Sequence, residues 1–367
     1  MDFAFSDEQD ELRQAVRRVL AAECPVAALR TFDAAAPEQR TTLARARWAV
    51  LAELGAPGIL VSEPEGGLGL GDVDLVGVFE EAGWAALPEP LMETAGLAAP
   101  TLAALLPAPM AAAALHALIE GPATFAVGGI DVTESGPTSP TTVSADGLLC
   151  TPRVLGARDA TIFLLACQDP DSGWQLHAVP ATSCVVEATP ALSSTRDMAV
   201  VHWPLSADTL LAYGVAAEAV ITLLADRAAA GSAAFLIGLA DRMITLAADY
   251  AKERQQFGRP IGSFQAVKHL LANARVKLEF ARPATYRAAW SLATAQPSAS
   301  HDASMAKAMA SDAADLAART ALQVHGAIGY TWECNLHFFM KQTWALTRAW
   351  GDAGTHRRLV LPQASRL

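Results

Sequence analysis

The stretch from Phe235 to Ala274 constrains this chain more than any other. Leu236, Leu239, Met243, Leu246 and Tyr250 recur at helical spacing, which predicts a long helix with one apolar stripe. Phe257-Gly258-Arg259-Pro260 then breaks it, because Gly258 accepts a positive φ and Pro260 biases Arg259 away from the α region. Ser263 reads as the N-cap of a second helix with Val267, Leu270, Leu271 and Ala274 on one face. The corner between the two helices gathers Arg254, Phe257 and Gln265, a set suited to an anionic, aromatic ligand. On spacing alone, such corner residues more often serve packing and capping.

Composition narrows the classes. The chain has 367 residues, 52% hydrophobic and 18% charged, enough for a large core and two or three structural units. A net charge of −11 argues against nucleic acid as the main partner. The five cysteines, at 24, 150, 167, 184 and 334, form no C-x-x-C pair and no metal spacing, so reduced thiols in the cytoplasm and no metal site are expected. The N-terminus is acidic where a signal peptide would be basic. No uninterrupted run of about 18 apolar residues appears, so no membrane span is expected.

Taken in order, Ser6-x-x-Gln9 resembles a capping box opening a helix to about Ala22. A helix from Pro37 to about Leu54 follows, then a glycine-rich loop, Val61 to Gly71, and a helix from Asp72 to about Ala86. No βαβ pattern surrounds those glycines, so the loop reads as a tight turn before an N-capped helix and not as a nucleotide fingerprint. Alanine-rich helices continue to Glu120. From Gly121-Pro122 to Ala207, turn residues punctuate short apolar runs at Phe125–Val127, Ala160–Cys167, Gln175–Val179 and Met198–Trp203, which read as strands. Helical periodicity returns, with His301–Val324 carrying apolar residues at 305, 309, 316 and 324, a helix over Glu333–Trp350, and a last helix opened by Gly351-Asp-Ala-Gly354. Segments 1–120, 121–207 and 208–367 thus read as helical, β and helical, an α+β chain that is mostly α. The apolar residues from Leu322 to Trp350, including Phe338, Phe339, Trp344 and Trp350, exceed what one helix face buries, so some are expected to meet another chain.

Arg254-x-x-Phe257-Gly258-x-x-Ile261-x-x-Phe264-Gln265 resembles the signature of the acyl-CoA dehydrogenase family of flavoproteins. Pro64-Glu-Gly-Gly-Leu-Gly69 with Glu80-Glu81, and Gln323-Val-His-Gly-Ala-Ile-Gly-Tyr330, resemble two further family elements in the family's order. The resemblance implies an N-terminal helical domain, a middle β-barrel and a C-terminal four-helix bundle. It also implies FAD, an acyl-CoA substrate, dimers or tetramers (homo- or hetero-oligomeric), and an electron-transferring flavoprotein as acceptor. Arg254, Phe257, Gln265, Gln323, Gly326, Ala327 and Thr355 fall at cofactor-binding positions, the 323–330 element meeting the FAD diphosphate across a subunit interface. Ala327 stands where a second glycine is usual, and backbone contact there requires a negative φ.

The family reaction needs a carboxylate for the α-proton. The family's Tyr-Glu-Gly-Thr element is matched by Asp352-Ala353-Gly354-Thr355, with Ala353 in the glutamate's place. Where other members carry the glutamate, near the start of the long helix, Asp226 is the nearest acid; an Asp226-Arg227 pair there more often makes a cap and a surface ion pair. Asp352 reads as an N-cap. The middle region departs as well: only Thr133-Glu134 resembles the family's flavin loop, and residues 151–159 lack its tryptophan. These departures resemble actinobacterial subunits that pair with a related chain in α2β2 complexes, often on bulky acyl-CoAs such as steroid side-chain thioesters. A family-like scaffold without oxidation is the alternative.

Overall fold

The computed structural model describes residues 5–120, 123–169, 171 and 173–364. Six helices come first: α1 (Asp7–Glu23), α2 (Val26–Ala34), α3 (Pro37–Glu53), α4 (Asp72–Ala85), α5 (Ala99–Ala104) and α6 (Pro109–Glu120), with a π-helical stretch, Met92–Ala98, leading into α5. Ten strands follow: β1 (Phe125–Gly128), β2 (Asp131–Thr133), β3 (Gly136–Thr138), β4 (Thr142–Val143), β5 (Leu149–Leu155), β6 (Ile162–Asp169), β7 (Gly173–Pro180), β8 (Val185–Thr189), β9 (Met198–Trp203) and β10 (Leu210–Tyr213). The chain ends with α7 (Gly214–Glu253), a small hairpin of β11 (Gln255–Gln256) and β12 (Arg259–Pro260), then α8 (Gln265–Ala293), α9 (Ala299–His325), α10 (Leu336–Leu346) and α11 (Ala353–Ala364).

The helix–strand–helix order is as read from sequence. Ser6 makes the expected capping box with Gln9 at 3.0 and 3.2 Å. The expected strands became β1, β6, β7 and β9. Helix α2 and strands β2–β5, β8 and β10 carried no legible signal; β8, for example, is an edge strand with four of its five residues exposed. Helix α10 is shorter than expected, because a turn ending in Trp350, with φ 58°, replaces its C-terminal part.

The chain divides into two compact units. The first comprises residues 5–30, 76–87 and 229–364. Here α8 and α9 form the main helix pair. Their core corrects part of the sequence expectation: on α9 the fully buried positions are Lys307 and the alanines at 303, 306, 310, 313, 314, 317, 318 and 321, and of the expected positions Val324 is buried while Met305, Met309 and Leu316 are only half-buried. Alanines let helix backbones come close, and the larger side chains lie beside the contact. On α8 likewise, only Ala274 of the expected face is buried, and Leu270 is 40% exposed.

Helices α4 and α7 approach still more closely. A Cβ at Gly238 would lie 2.0 Å from the Glu80 carbonyl oxygen, and one at Gly83 2.1 Å from that of Phe235, so only glycine fits either position. Beside this crossing, Arg13 and Arg282 pair with Glu80 at 3.3 and 2.7 Å, and Arg17 takes Glu81 in a two-pronged bond at 2.7 and 2.9 Å. Burial pushes the Glu80 carboxyl up in pKa, opposed by Arg282 and Arg13. Of the apolar residues from Leu322 to Trp350, Phe338, Phe339 and Trp350 are buried inside this unit and Trp344 is half-buried, while Ile328, Tyr330 and Trp332 are exposed. Part of α7 is apolar and long enough to cross a membrane, with mean hydropathy 1.6, but 72% of that window is buried in protein, the mark of a core helix.

The second unit comprises residues 31–75 and 88–228. Its strands form two four-stranded sheets, β1-β6-β7-β10 and β4-β5-β9-β8, plus the β2–β3 hairpin. Only β1 and β6 pair in parallel. The sheets share one core that includes Ala126, Val154, Phe163, Val179, Val201 and Trp203. Among the described residues no ladder joins one sheet to the other, so the expected barrel is two open sheets and not a closed cylinder.

Candidate functional site

The corner after α7 is a hairpin. Arg254 donates its N–H to the Tyr250 carbonyl at 2.8 Å and accepts from the Ile261 N–H at 2.8 Å. Phe257 and Gly258, with φ of 53° and 76°, form the two-residue turn between β11 and β12, the shape of a type I′ hairpin loop. Glycine tolerates that backbone; a phenylalanine in it is uncommon, and its ring is 92% exposed. Arg259 lies over the Phe264 ring at 4.2 Å. A Cβ at Gly262 would meet the Ala251 carbonyl oxygen at 2.9 Å, so the hairpin folds tightly back on α7.

Two features leave this corner open to an anion. The Arg254 guanidinium is exposed and has no hydrogen-bond or ion-pair partner among the described residues. Helix α8 begins at Gln265 with no side-chain cap and no acidic residue in its first turn. Ser263 is not the expected cap; its hydroxyl donates instead to the Pro260 carbonyl at 2.7 Å. Uncapped N–H groups and the positive end of the helix dipole favour negative charge.

The second element ends α9. The His325 ring stacks on Tyr250 at 4.5 Å and donates from Nδ1 to the Ala321 carbonyl at 2.8 Å, which ties this end of α9 to the end of α7. Burial lowers the His325 pKa, opposed by this bond to the Ala321 carbonyl. Gly326 then adopts φ 64°, ψ −140°, a conformation essentially confined to glycine, and a Cβ there would meet only open space. Ala327 lies in a short 3₁₀ turn and is not among the positive-φ residues, the condition for backbone contact at that position. Gln323 and Ala327 are exposed.

The third element is the start of α11. Ala353 is its first residue, and Asp352 caps it, accepting the Thr355 N–H at 2.8 Å. That bond holds the Asp352 carboxyl below the usual range, and it commits the Thr355 N–H within the chain. Beneath the preceding turn, fully buried Lys307 donates to the carbonyls of Leu346, Thr347 and Gly351 at 3.0, 3.4 and 3.1 Å. Buried His356 donates from Nε2 to the Trp350 carbonyl at 2.8 Å and meets the Ser304 hydroxyl at 3.1 Å through Nδ1. Sequence reasoning missed this support because Lys307 lies in mid-helix, far along the chain from the turn it holds.

Family models describe two stretches of this chain: the acyl-CoA dehydrogenase N-terminal domain over residues 6–121 and the C-terminal domain over residues 218–364. Acyl-CoA dehydrogenase IpdE2 of Mycobacterium tuberculosis is 31% identical over 338 residues, covering 92% of this chain and 91% of that protein. The chain belongs to the acyl-CoA dehydrogenase family. Acyl-CoA dehydrogenase FadE34 of the same organism is 32% identical over 97% of this chain, which spans about half of FadE34, 48% of its length. The ChsE4-ChsE5 complex of Mycobacterium tuberculosis superposes with a TM-score of 0.86 at 24% identity over all of both chains, a match of fold.

Ala353 brings a methyl group to the start of α11. Asp226 is half-buried and lies well inside α7, not at a helix start, and its neighbour Arg227 reaches Asp72 at 3.1 and 3.2 Å. In the second unit, Arg153 pairs with Asp131 and so links β5 to the β2–β3 hairpin that carries Thr133-Glu134. Trp203, buried on β9, donates its indole N–H to Thr151 at 2.9 Å.

Proposed function

We propose that this chain is an FAD-binding subunit of an acyl-CoA dehydrogenase whose catalytic carboxylate is completed by a related partner chain. The carrying observation is the contrast between an unpaired Arg254 at an uncapped helix start and a methyl group at position 353. The residues fit the ADP part of FAD. Arg254 holds the diphosphate, Gln265 and the first N–H groups of α8 add donors, and Phe257 offers a ring face. Gln323, Gly326 and Ala327 present donors and open backbone to the same cofactor across a subunit interface, with Thr355 beside it.

Bound FAD supplies the acceptor for the hydride leaving Cβ of an acyl-CoA thioester, while a carboxylate takes the Cα proton, leaving a Cα=Cβ double bond. Asp226 is this chain's own candidate for the proton, one methylene shorter than glutamate; the partner's carboxylate is the favoured source. The electron acceptor is an electron-transferring flavoprotein. Exposed Phe280 (68%), Val276 and Leu270 on α8, with Tyr330 (80%) and Trp332 after α9, supply the apolar surface for a second chain. Five cysteines free of disulfides suit a cytoplasmic setting.

The test is turnover with an artificial electron acceptor on short, long and steroid side-chain acyl-CoAs, for the purified homomer and for the chain co-expressed with a related subunit. The homomer should be slower by about 10²–10⁴, the usual worth of a positioned base, and Asp226→Asn should leave the complex unchanged. Robust turnover by the homomer, abolished by Asp226→Asn, refutes the proposal. A second reading, a scaffold that performs no oxidation, draws on the same Ala353. A colourless chain that remains so with added FAD supports it.

A further inference from the structure

Outside the flavin corner, the first unit contains a cavity of about 230 Å³ lined by Arg17, Cys24, Glu81, Trp84, Arg242 and Phe339, among others. The Arg242 guanidinium lies over the Trp84 ring at 5.1 Å and the Phe339 ring at 5.9 Å. No hydrogen-bond or ion-pair partner for it exists among the described residues. Neighbouring Asp241 is taken by Arg275 and Arg282, while Asp249, two turns further along the same face of α7, attracts the Arg242 guanidinium from a distance but pairs with Lys252 at 2.8 Å. Arg17, whose guanidinium lies 5.7 Å from the Trp84 ring, is spent on Glu81.

Charge and shape then agree. The lining holds two guanidiniums and one carboxylate, so it is one negative charge short. Burial disfavours the charge on half-buried Arg242 and lowers its pKa, opposed by Asp249, and no protein acceptor among the described residues takes its donors. The Trp84 and Phe339 rings lie within 6 Å of the guanidinium carbon, and a guanidinium's donors form the fork that matches a carboxylate. An engineered cavity of about 150 Å³ holds benzene, so this one admits a ring bearing a carboxylate.

We propose that this cavity is a binding site for a small planar monocarboxylate, held by a two-pronged bond to Arg242 with its ring against Trp84 and Phe339. Isothermal titration of the full chain with benzoate, with benzamide as the neutral isostere, tests it. Benzoate should bind saturably at one site per chain, and benzamide at least tenfold more weakly. Arg242→Gln should weaken benzoate at least tenfold, since a charge-assisted fork exceeds the 1.4 kcal/mol that a factor of ten represents. Absence of saturable benzoate binding overturns the proposal, as does a smaller loss in Arg242→Gln or equal binding of benzamide. Should Arg242→Gln fail to fold, crystals soaked in 4-iodobenzoate decide the matter. An iodine peak in the cavity beside Arg242 is the expected result, and a peak only elsewhere, or none, overturns it.

Discussion

Two turns of the same unit offer opposite pictures. At the hairpin after α7, Arg254 has no partner, α8 starts without a cap, and the Phe257 ring faces solvent. At the turn before α11, the carbonyls are satisfied from within, the Trp350 indole N–H alone being left without a partner there among the described residues: Lys307 serves three carbonyls, His356 a fourth, and Asp352 caps Thr355. A region with unmet donors is built to receive something, whereas a self-satisfied one is built to hold its own shape. In this chain the hairpin leaves its donors open, while the α11 turn spends its own on carbonyls of the same turn.

The largest effect expected from breaking this contrast is at Lys307. Lys307→Met should remove the buried donor from three carbonyls and cost about 2–4 kcal/mol, since each buried polar group left unpaired costs about 1–3 kcal/mol. Urea denaturation checks this; a change under 1 kcal/mol would mean the carbonyls find water instead. The α11 turn would then be no more self-satisfied than the hairpin.

At the open corner the loss should appear in ligand retention and not in stability. Arg254→Ala should weaken FAD by about 1.5–3 kcal/mol, the usual worth of hydrogen bonds to charged groups, with the melting temperature of the apo chain unchanged. Flavin absorbance after dialysis reads the first quantity and calorimetry the second. Unchanged flavin content would remove Arg254 from the site. Gly326→Ala should act more mildly: its φ of 64° with ψ −140° would strain a side chain by about 1–3 kcal/mol, although space exists for the methyl group.

The smallest effect is the pH dependence at the closed turn. Burial holds the His356 pKa down to about 4, from 6.5 in the unfolded chain. Between those values the unfolded state binds the extra proton, so stability falls as pH drops from 6.5 toward 4, with a slope of at most about 1.4 kcal/mol per pH unit from this group. His177 on β7, also held down to about 4 by burial, adds in the same direction. His356→Gln should flatten part of this acid limb in denaturation curves taken from pH 7 to pH 4. An identical limb would mean His356 charges in the folded state.

Much of the fold, and the turns that frame the candidate site, were legible in the residues. The Ser6 capping box, the breaks at Gly258 and Pro260 and the Asp352 cap depend on groups within a few positions of each other, so local backbone preference is sufficient to read them. The start of the last helix beside Ala353 was legible for the same reason, because its cap lies one position away. Ser263 misled because its hydroxyl found the Pro260 carbonyl first, a competition between neighbours that spacing does not decide.

Tertiary structure alone decided where charge and close packing go. Alanines, not Met305, Met309 and Leu316, form the buried face of α9, because helices approach to the distance their partners permit. Lys307 meets carbonyls about forty positions away, and Arg242 comes to lie by Trp84 and Phe339 from two other helices. Burial of α7 makes an apolar helix a core element and not a membrane span. Each outcome turns on which surfaces exclude water from a given group, a property of the assembled fold that no local run of residues contains.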